Sequence, residues 1–261
     1  MKYGVGIDVG GTKIACALIN NKGNIRKKII FHTARTKGKV LKQIIKGVSL
    51  LLEGVKKDVV GIGIGIPGVK DSKGRIYRLP NLKILNGVDL VGVLKKKFNK
   101  RVVMENDASC AALGEYKFGV GKDVKTLFVV TLGTGIGGGF VLNGKLYTGR
   151  GNAPEPGHML IGKKEWETVA SGRAFIESFK KKGKKSYGEY ANHLGIGLSN
   201  IAKLYDPEVI VLTGGAVKSK NCFLKKAINV AEKNTFFKIG KIVASRFPEN
   251  AGIIGAASLV L

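Results

Sequence analysis

The feature that most constrains this chain is a strand–glycine loop–strand unit that occurs twice. In the first copy, apolar runs at 3–9 and 14–19 flank Gly10-Gly11-Thr12-Lys13. The second copy begins about 124 residues later, with strand-like residues 126–132 followed by a glycine-rich turn at 133–139 and a further short strand. Such a repeat predicts two related α/β halves that face each other across a cleft.

The segments outside the repeat alternate between helical and strand patterns. Apolar spacing predicts helices at 40–53, 90–98, 108–115, 171–181, 189–204 and 252–261. Strands are predicted at 25–31, 59–66, 101–105, 145–147 and 209–212. This alternation is typical of α/β domains, and 261 residues suit one large domain or two of modest size.

The charge balance of the chain is strongly basic. Forty-five Lys+Arg against 18 Asp+Glu give a net charge of +27 at pH 7, a field that attracts polyanions and nucleotides. The lysines are scattered through nearly every segment, and no aromatic interleaving or helix-turn-helix pattern accompanies them. A solvated, lysine-rich surface is therefore expected rather than specific nucleic-acid binding.

The sequence contains no pattern of a membrane or secreted protein. Its longest uncharged run, 126–144, is too polar and too rich in glycine to span a bilayer, and no secretory signal opens the chain. Cys16, Cys110 and Cys222 lie far apart, without the spacing of a metal site or a disulfide framework. We expect a cytoplasmic globular protein without a membrane partner.

Both glycine loops have the equipment for phosphate binding. Consecutive glycines let backbone N–H groups approach phosphate oxygens, and Thr12 adds a hydroxyl donor. Asp8, at the end of a predicted strand, can hold hydrated Mg²⁺. The loop at 133–139 matches G-x-G-x-x-G but leads into a strand, which argues against a Rossmann site. Two such loops at matching points of a repeat predict phosphate binding.

Glu105-Asn106-Asp107 marks a predicted strand-to-helix junction. Simple helix capping accounts for Asn106 or Asp107 taken alone. Beside two phosphate loops, however, a carboxylate at this junction can orient a substrate hydroxyl and accept its proton. Both interpretations are compatible with the sequence.

Glu155-Pro156-Gly157-His158 is a rigid turn that presents a carboxylate and an imidazole. Short fixed donors and acceptors of this kind suit a polyol such as a sugar ring. A plain surface turn is the alternative, and Glu167 has no distinguishing pattern around it.

Taken together, these residues resemble the ROK family (repressors, open reading frames and sugar kinases). The matching segments, in the family's order, are 8–13, 61–68, 80–82, 105–108, 131–139, 155–158, 167–172 and 212–215. The resemblance implies two ribonuclease H-like (actin-like ATPase) lobes that close over ATP and a hexose. It divides the chain into a small lobe, 1–107 plus 246–261, and a large lobe, 108–245.

The resemblance also implies roles for individual residues. Those of the first phosphate loop are Asp8, Gly10, Gly11, Thr12 and Lys13, although Lys13 receives no defined function, and those of the second are Gly133, Thr134 and Gly135. Gly214 and Gly215 correspond to the stretch beneath adenosine, and Asp107 to the catalytic base. The sugar-hydroxyl ligands implied are Asn81, Asn106, Glu155, His158 and Glu167.

The chain departs from the family pattern after the Glu155–His158 turn. Many members bind a structural zinc there through a cysteine cluster with the histidine as fourth ligand, but residues 159–166 contain no cysteine. We therefore predict no zinc site, and a homodimer is left open. The regulator branch has an N-terminal DNA-binding domain, for which the residues before Asp8 are too few.

The activity implied is that of an ATP-dependent hexose kinase that phosphorylates the 6-hydroxyl of glucose or a similar hexose. N-acetylmannosamine, N-acetylglucosamine, fructose and allose are alternative substrates, and ADP or polyphosphate are alternative donors. A sugar-sensing regulator without turnover is the competing class, since the family includes repressors. An acidic non-sugar substrate is disfavoured because Glu155 and Glu167 would repel it.

Overall fold

The computed structural model describes residues 1–71, 75–218 and 223–261. The strands are β1 (Tyr3–Val9), β2 (Lys13–Asn20), β3 (Ile25–His32), β4 (Val59–Ile66), β5 (Val69–Lys70), β6 (Ile76–Arg78), β7 (Arg101–Asn106), β8 (Thr126–Leu132), β9 (Ile136–Leu142), β10 (Lys145–Tyr147), β11 (Leu160–Ile161), β12 (Lys164–Glu165), β13 (Val209–Thr213) and β14 (Lys241–Ala244). The helices are α1 (Lys37–Leu52), α2 (Leu90–Phe98), α3 (Asp107–Phe118), α4 (Trp166–Ala170), α5 (Gly172–Lys182), α6 (Ser186–Tyr205), α7 (Gly215–Lys218), α8 (Leu224–Lys233) and α9 (Ala251–Ser258). Across these ranges, no helix combines the length and apolarity needed to cross a bilayer.

The first sheet has the strand order β3-β2-β1-β4-β7. β1, β2 and β3 form the predicted antiparallel meander, whereas β4 and β7 run parallel to β1. The parallel connections pass through α1 and α2, as helical crossovers in α/β proteins do. The carboxyl ends of β1, β4 and β7 therefore meet at one edge of the sheet.

β1 and β4 alternate glycine with large aliphatic residues, and the two faces of the first sheet differ accordingly. The aliphatic face, which includes the fully buried Ile7, packs in one core with α1 and α2. α9 lies very close to the glycine face. A Cβ added to Gly6 would overlap the carbonyl oxygen of Ile253, and a Cβ added to Gly63 would overlap the carbonyl oxygen of Ala256. The glycines thus let a helix lie almost on the backbone of the sheet.

The second sheet has the order β10-β9-β8-β13-β14, which repeats the order of the first position by position. β8 and β9 are antiparallel, and β13 and β14 run parallel to β8. Its core includes Phe128 of β8 and residues of α4, α5, α6 and α8 packed on it. The predicted duplication of an α/β unit is confirmed.

The chain divides into two compact units, one formed by 1–118 with 250–261 and the other by 119–249. α3 belongs to the first unit because it packs along α9. These units join at 118/119 and 249/250, with the whole of α3 in the first unit, and the expected lobe division at 107/108 and 245/246 stays a prediction.

The second glycine loop is shorter than the sequence suggested. Gly137, Gly138 and Gly139 belong to β9, where they pair with residues 129–131 of β8, so the bend itself is limited to 133–135. Residues 224–233 and 241–244, for which no element was predicted, form α8 and β14.

The described cysteines have no partner in a disulfide. Cys16 and Cys110 are free and buried, and burial, with a contribution from the Asp8 charge, raises the pKa of the Cys16 thiol to about 12. Cys222 lies outside the described residues. Thiols with a raised pKa have little thiolate character and are inert, so the two described cysteines have a packing role.

Candidate functional site

The first glycine loop is a bend between β1 and β2 whose carbonyl groups are held by its neighbours. The Gly10 N–H donates to the Lys13 carbonyl (2.9 Å), and Thr33 donates its N–H to the Thr12 carbonyl (2.9 Å) and its hydroxyl to the Gly10 carbonyl (2.8 Å). Within the described ranges, the exposed N–H groups of Gly11 and Thr12 donate no hydrogen bond. They are the donors of this loop that can bind phosphate oxygens.

Asn81 lies directly against this loop. A Cβ on Gly11 would be 2.8 Å from the Asn81 carbonyl oxygen, so a larger residue cannot occupy position 11 without moving the chain at 81. Gly11, Thr12 and Asn81 line one open pocket of about 440 Å³ together with His32 and Arg35. The predicted ligand Asn81 and the first loop therefore share a surface.

Asp8 is the penultimate residue of β1, and its carboxyl group is largely buried. Burial raises the pKa of this carboxyl, and the charges of Lys13 and Lys28 oppose the rise. A Cβ on Gly252, in the first turn of α9, would be 4.0 Å from an Asp8 oxygen. A single carboxylate with hard oxygen donors suits Mg²⁺, which retains several waters and binds phosphates. The donor chemistry at Asp8 thus fits the predicted ion.

Asn106 and Asp107 stand at the junction of β7 and α3. The Asn106 side-chain oxygen accepts the N–H groups of Ala108 (2.8 Å) and Ser109 (3.2 Å), so it caps the helix. Asp107 Oδ1 also accepts the Ala108 N–H (2.8 Å). The Asn106 oxygen is thus committed to the cap, and its amide nitrogen donates a long hydrogen bond to the Gly68 carbonyl (3.5 Å), which leaves the second amide N–H group for a ligand.

Asp8 and Asp107 lie near each other at the carboxyl ends of β1 and β7. A Cβ on Gly65, in the strand between them, would be 3.6 Å from Asp107 Cα and 3.7 Å from the Ile7 carbonyl oxygen. Burial raises the pKa of the Cys110 thiol, and the charges of both aspartates add to the rise. The first unit thus brings the predicted base and the first phosphate loop to one edge of the sheet.

The second loop, Gly133–Gly135, connects β8 to β9. The Gly133 carbonyl accepts the Arg173 N–H at the start of α5 (3.2 Å), and Gly133 itself donates to the Gly135 carbonyl (3.1 Å). The Thr131 hydroxyl accepts the Gly137 N–H (3.1 Å) below the bend. Gly133 and Thr134 are exposed, as a loop that receives a ligand requires.

The predicted sugar ligands of the second unit lie close to this loop. Glu167 Oε2 accepts the Ile136 N–H (3.2 Å), and a Cβ on Gly135 would overlap the same oxygen. Partial burial raises the pKa of Glu155, His158 opposes the rise and Glu167 adds to it, so these three side chains act on one another electrostatically. The result is a group of carboxylate and imidazole atoms suited to hydroxyl donors.

His158 has a further neighbour that the sequence did not single out. Its Nδ1 is 3.3 Å from Glu165 Oε2, and ligand atoms of His158, Glu165 and Glu167 all lie within 4.8 Å of one another. Such a group can bind a hydroxyl-bearing ligand or a cation, so the predicted lack of a zinc site stays a prediction.

Gly214 and Gly215 follow β13, next to the end of β8. Gly214 has a φ of +104°, and a Cβ there would be 2.6 Å from the Leu132 carbonyl oxygen, so both backbone conformation and space require glycine. Its N–H donates to the Pro248 carbonyl (3.3 Å). Gly215 opens α7 and faces open space. Both predicted adenosine residues thus adjoin the strand that leads into the second loop.

Sequence reasoning missed Thr33 and Glu165, and it placed Thr131 in a matching segment without giving it a role of its own. Thr33 reaches the first loop because β3 pairs with β2. The register of that pairing places His32 opposite Lys13, so the next residue, Thr33, lies beside the loop. Thr131 supports the second loop from within a strand, where its hydroxyl looks like any other strand threonine. Glu165 lies two residues before Glu167 and carries no local pattern; the closure of the β11–β12 hairpin brings it to His158.

Known proteins resemble this chain over nearly its whole length. It is 30% identical to the glucokinase of Streptomyces coelicolor, in an alignment that covers 98% of this chain and 96% of that one. It is 28% identical to the xylose repressor of Bacillus subtilis, covering 99% of this chain and 77% of the repressor. A solved structure of a ROK family glucokinase from Streptomyces griseus, in complex with glucose and AMPPNP, has a TM-score of 0.87, 28% identity and 99% coverage of both chains.

These likenesses confirm the predicted fold class, two α/β halves of the actin-like ATPase type. A sequence profile of the ROK family matches residues 4–261. The chain therefore belongs to the ROK family, within the actin/hexokinase-like ATPase superfamily.

Proposed function

We propose that this chain is an ATP-dependent hexose kinase that transfers the γ-phosphoryl group of ATP to the 6-hydroxyl of glucose or a similar hexose. The observation that carries the proposal is the nearness of Asp107 to Asp8 and the open N–H groups of the first loop. A base and a phosphate site at one sheet edge are what in-line phosphoryl transfer needs. The likeness to a glucokinase that binds glucose and AMPPNP supports the same reaction.

The two glycine loops would bind and align the phosphate groups. The Gly11 and Thr12 N–H groups of the first unit belong to a loop held by its own hydrogen bonds, and preorganised donors of this kind need no rearrangement when charge develops. The exposed bend at Thr134 in the second unit would offer further N–H groups. Mg²⁺, when bound, supplies further neutralisation of phosphate charge, and Asp8 would hold it through water. Gly214 and Gly215 would lie beneath adenosine.

Asp107 would act as the base and the other polar residues would fix the sugar. Its carboxylate would orient the attacking hydroxyl and accept its proton, a contribution of about 10²–10⁴-fold in rate. Hydroxyl groups of the hexose would donate to Glu155 and Glu167, with His158 and the Asn106 amide as further partners. Asn81, beside the first loop, would complete this set.

A screen of phosphotransfer tests the proposal directly. About a dozen sugars, including glucose, N-acetylmannosamine, N-acetylglucosamine and fructose, would each be offered with ATP, ADP and polyphosphate in a coupled assay. We expect ATP-dependent phosphorylation with glucose among the best substrates, because short hydroxyl acceptors dominate the site. A different preferred sugar would keep the kinase class and change the substrate.

The likeness to the xylose repressor favours a second candidate, a sugar-sensing regulator without turnover. The net charge of +27 would assist binding to nucleic acid. Sugar binding with no phosphate transfer to any sugar, together with salt-dependent and sequence-selective DNA affinity, would establish that candidate and exclude the kinase. Action in the cytoplasm and assembly as a homodimer stay predictions.

The affinity for sugar is expected to fall at acidic pH because of Glu155. Its raised pKa means that the carboxyl group takes up a proton at a higher pH than an ordinary glutamate, and a neutral carboxyl is a weaker acceptor. The KM for sugar should therefore rise as the pH falls through this pKa, with the KM for ATP less affected. In Glu155→Gln the KM for sugar should be high at all these pH values. If the KM of this variant still rises toward acidic pH as in the wild type, the group that titrates is not Glu155.

Gly135→Ala is expected to raise the KM for sugar about 10- to 150-fold by displacing Glu167. The added methyl group would overlap Glu167 Oε2, and moving that carboxylate removes a charged hydrogen bond to the ligand, which is worth about 1.5–3 kcal/mol. If this reason is right, the double variant Gly135→Ala/Glu167→Ala should be no worse than Glu167→Ala alone. Additive losses in steady-state kinetics would contradict it.

A further inference from the structure

Glu165 is held by the backbone on both sides. It ends the short β11–β12 hairpin, in which it pairs with Leu160, and the Trp166 N–H donates to the Met159 carbonyl (2.8 Å) to close the hairpin. The Thr168 hydroxyl donates to the Glu165 carbonyl (2.7 Å) at the start of α4. The position of Glu165 is thus fixed by local hydrogen bonds, independently of its carboxylate.

Trp166 anchors this segment in the core of the second unit. It is fully buried, and its indole N–H donates to the His193 carbonyl on α6 (2.9 Å). Its ring fits against Gly197, where any Cβ would overlap it. Because its neighbour is so firmly packed, Glu165 cannot move far from the place where the hairpin puts it.

The carboxylate of Glu165 faces the imidazole of His158. Glu165 Oε2 is 3.3 Å from His158 Nδ1, while Glu155 and Glu167 are the other carboxylates that act near the imidazole. Both partners are half exposed (60% for His158 and 45% for Glu165), so the pair contributes little to folding stability. The pair instead affects the orientation and the tautomer of the His158 imidazole ring.

An imidazole that donates from Nδ1 is restricted in two ways. The neutral ring has one donor and one acceptor nitrogen, so a proton fixed on Nδ1 makes Nε2 the acceptor. A hydrogen bond across the 3.3 Å between Nδ1 and Glu165 Oε2 would also fix the rotation of the ring about its side-chain torsions, as carboxylate partners do for functional histidines. A ring held in this way offers Nε2 to a hydroxyl donor.

We infer that Glu165 is a positioning residue for sugar binding: it keeps the His158 proton on Nδ1 and presents Nε2 as an acceptor to a ligand hydroxyl. For its effect on activity the inference rests on the proposed kinase function. For its effect on the histidine it rests only on the geometry of the hairpin.

The histidine itself can be observed without any substrate. ¹⁵N NMR of the imidazole rings separates the two tautomers, and the chain has only three histidines, His32, His158 and His193, to assign. With the ring neutral, we expect Nδ1–H for His158 in the wild type and in Glu165→Gln, whose amide oxygen still accepts. Glu165→Ala should shift it toward Nε2–H, the form that free imidazole prefers, whereas the exposed control Glu177→Ala should not.

Three outcomes of the NMR experiment would overturn the inference. They are an Nε2–H tautomer in the wild type, an unchanged Nδ1–H tautomer in Glu165→Ala, and a His158 spectrum that changes when a chelator is added. The last result would mean that a metal ion bound by His158, Glu165 and Glu167, and not a proton shared with Glu165, orients the imidazole.

Kinetics and sugar binding supply the functional readout. Glu165→Ala should raise the KM for sugar about tenfold, with kcat, the KM for ATP and the melting temperature nearly unchanged, and Glu165→Gln should restore most of the loss. Equal sugar KM values in wild type and Glu165→Ala would overturn the positioning role alone. The expected tautomers together with no phosphorylation of any sugar by the wild type would instead refute the proposed function.

Discussion

Asp107→Asn is expected to lower kcat about 10²–10⁴-fold, because the amide cannot accept the proton of the attacking hydroxyl. Asparagine keeps the oxygen that accepts the Ala108 N–H (2.8 Å), so the start of α3 should be preserved. The affinities for sugar and for ATP should therefore stay close to those of the wild type. Steady-state kinetics gives kcat, and calorimetric titration with each ligand gives the affinities.

A second aspartate provides the control for this variant. Asp58, exposed in the loop before β4, undergoes the same change of charge in Asp58→Asn and should retain full activity. A kcat near that of the wild type in Asp107→Asn would remove Asp107 from its catalytic role. A melting temperature lowered together with sugar and ATP affinity would make it a structural residue instead.

Much of the fold follows from patterns that are local in the sequence. The strand 59–66 and the helix 90–98 were predicted with the bounds that the structure has. A buried parallel strand is apolar along its whole length, and an amphipathic helix repeats apolar residues with the helical period from its first turn to its last. The duplicated strand–glycine loop–strand unit predicted both sheets. Each copy forms an antiparallel strand pair, β1–β2 or β8–β9, and the two sheets built on these pairs have the same strand order.

The segments that escaped prediction were overlooked or depend on distant pairing. α8 has apolar residues at helical spacing between lysines, and it buries Ala227 and Ala231, so the sequence did contain the signal of this helix. The end of the second loop was misplaced because Gly137–Gly139 resemble turn residues. They lie in β9 all the same, where Gly138 packs against the ring of Pro156 at a distance that excludes a side chain.

The candidate site divides in a similar way. Residues in motifs of several adjacent polar and glycine positions, such as Asp8–Lys13 and Glu105–Asp107, could be singled out from the sequence. Thr33 and Glu165 could not, because each acts through a strand pairing that brings it to a residue distant in sequence or around a hairpin. The capping bonds of Asn106 show in addition that a site residue can have a structural role at the same time.

Gly255→Ala is expected to reduce the free energy of unfolding by about 3 kcal/mol or more, since overpacking typically costs 1–3 kcal/mol and the neighbour here is backbone. A Cβ on Gly255 would overlap the Cys110 carbonyl, where α9 crosses α3. Gly114 meets α9 from the opposite side of the same crossing, with its Cβ position 2.8 Å from the Ala251 carbonyl oxygen. Neither helix has a flexible side chain at this point that could yield.

Gly38→Ala is the matched control, because nothing lies within 4 Å of its Cβ position in α1 and alanine favours a helix by up to about 1 kcal/mol. Chemical denaturation should show the two glycine variants shifting stability in opposite directions. Because Asp107 begins α3 and the first turn of α9 adjoins Asp8, a displaced crossing should also lower kcat at temperatures where Gly255→Ala is still folded. If Gly255→Ala is as stable and as active as the wild type, α3 and α9 do not cross as closely as the glycines permit. That result would also refute the proposed effect of this helix packing on the catalytic edge of the sheet.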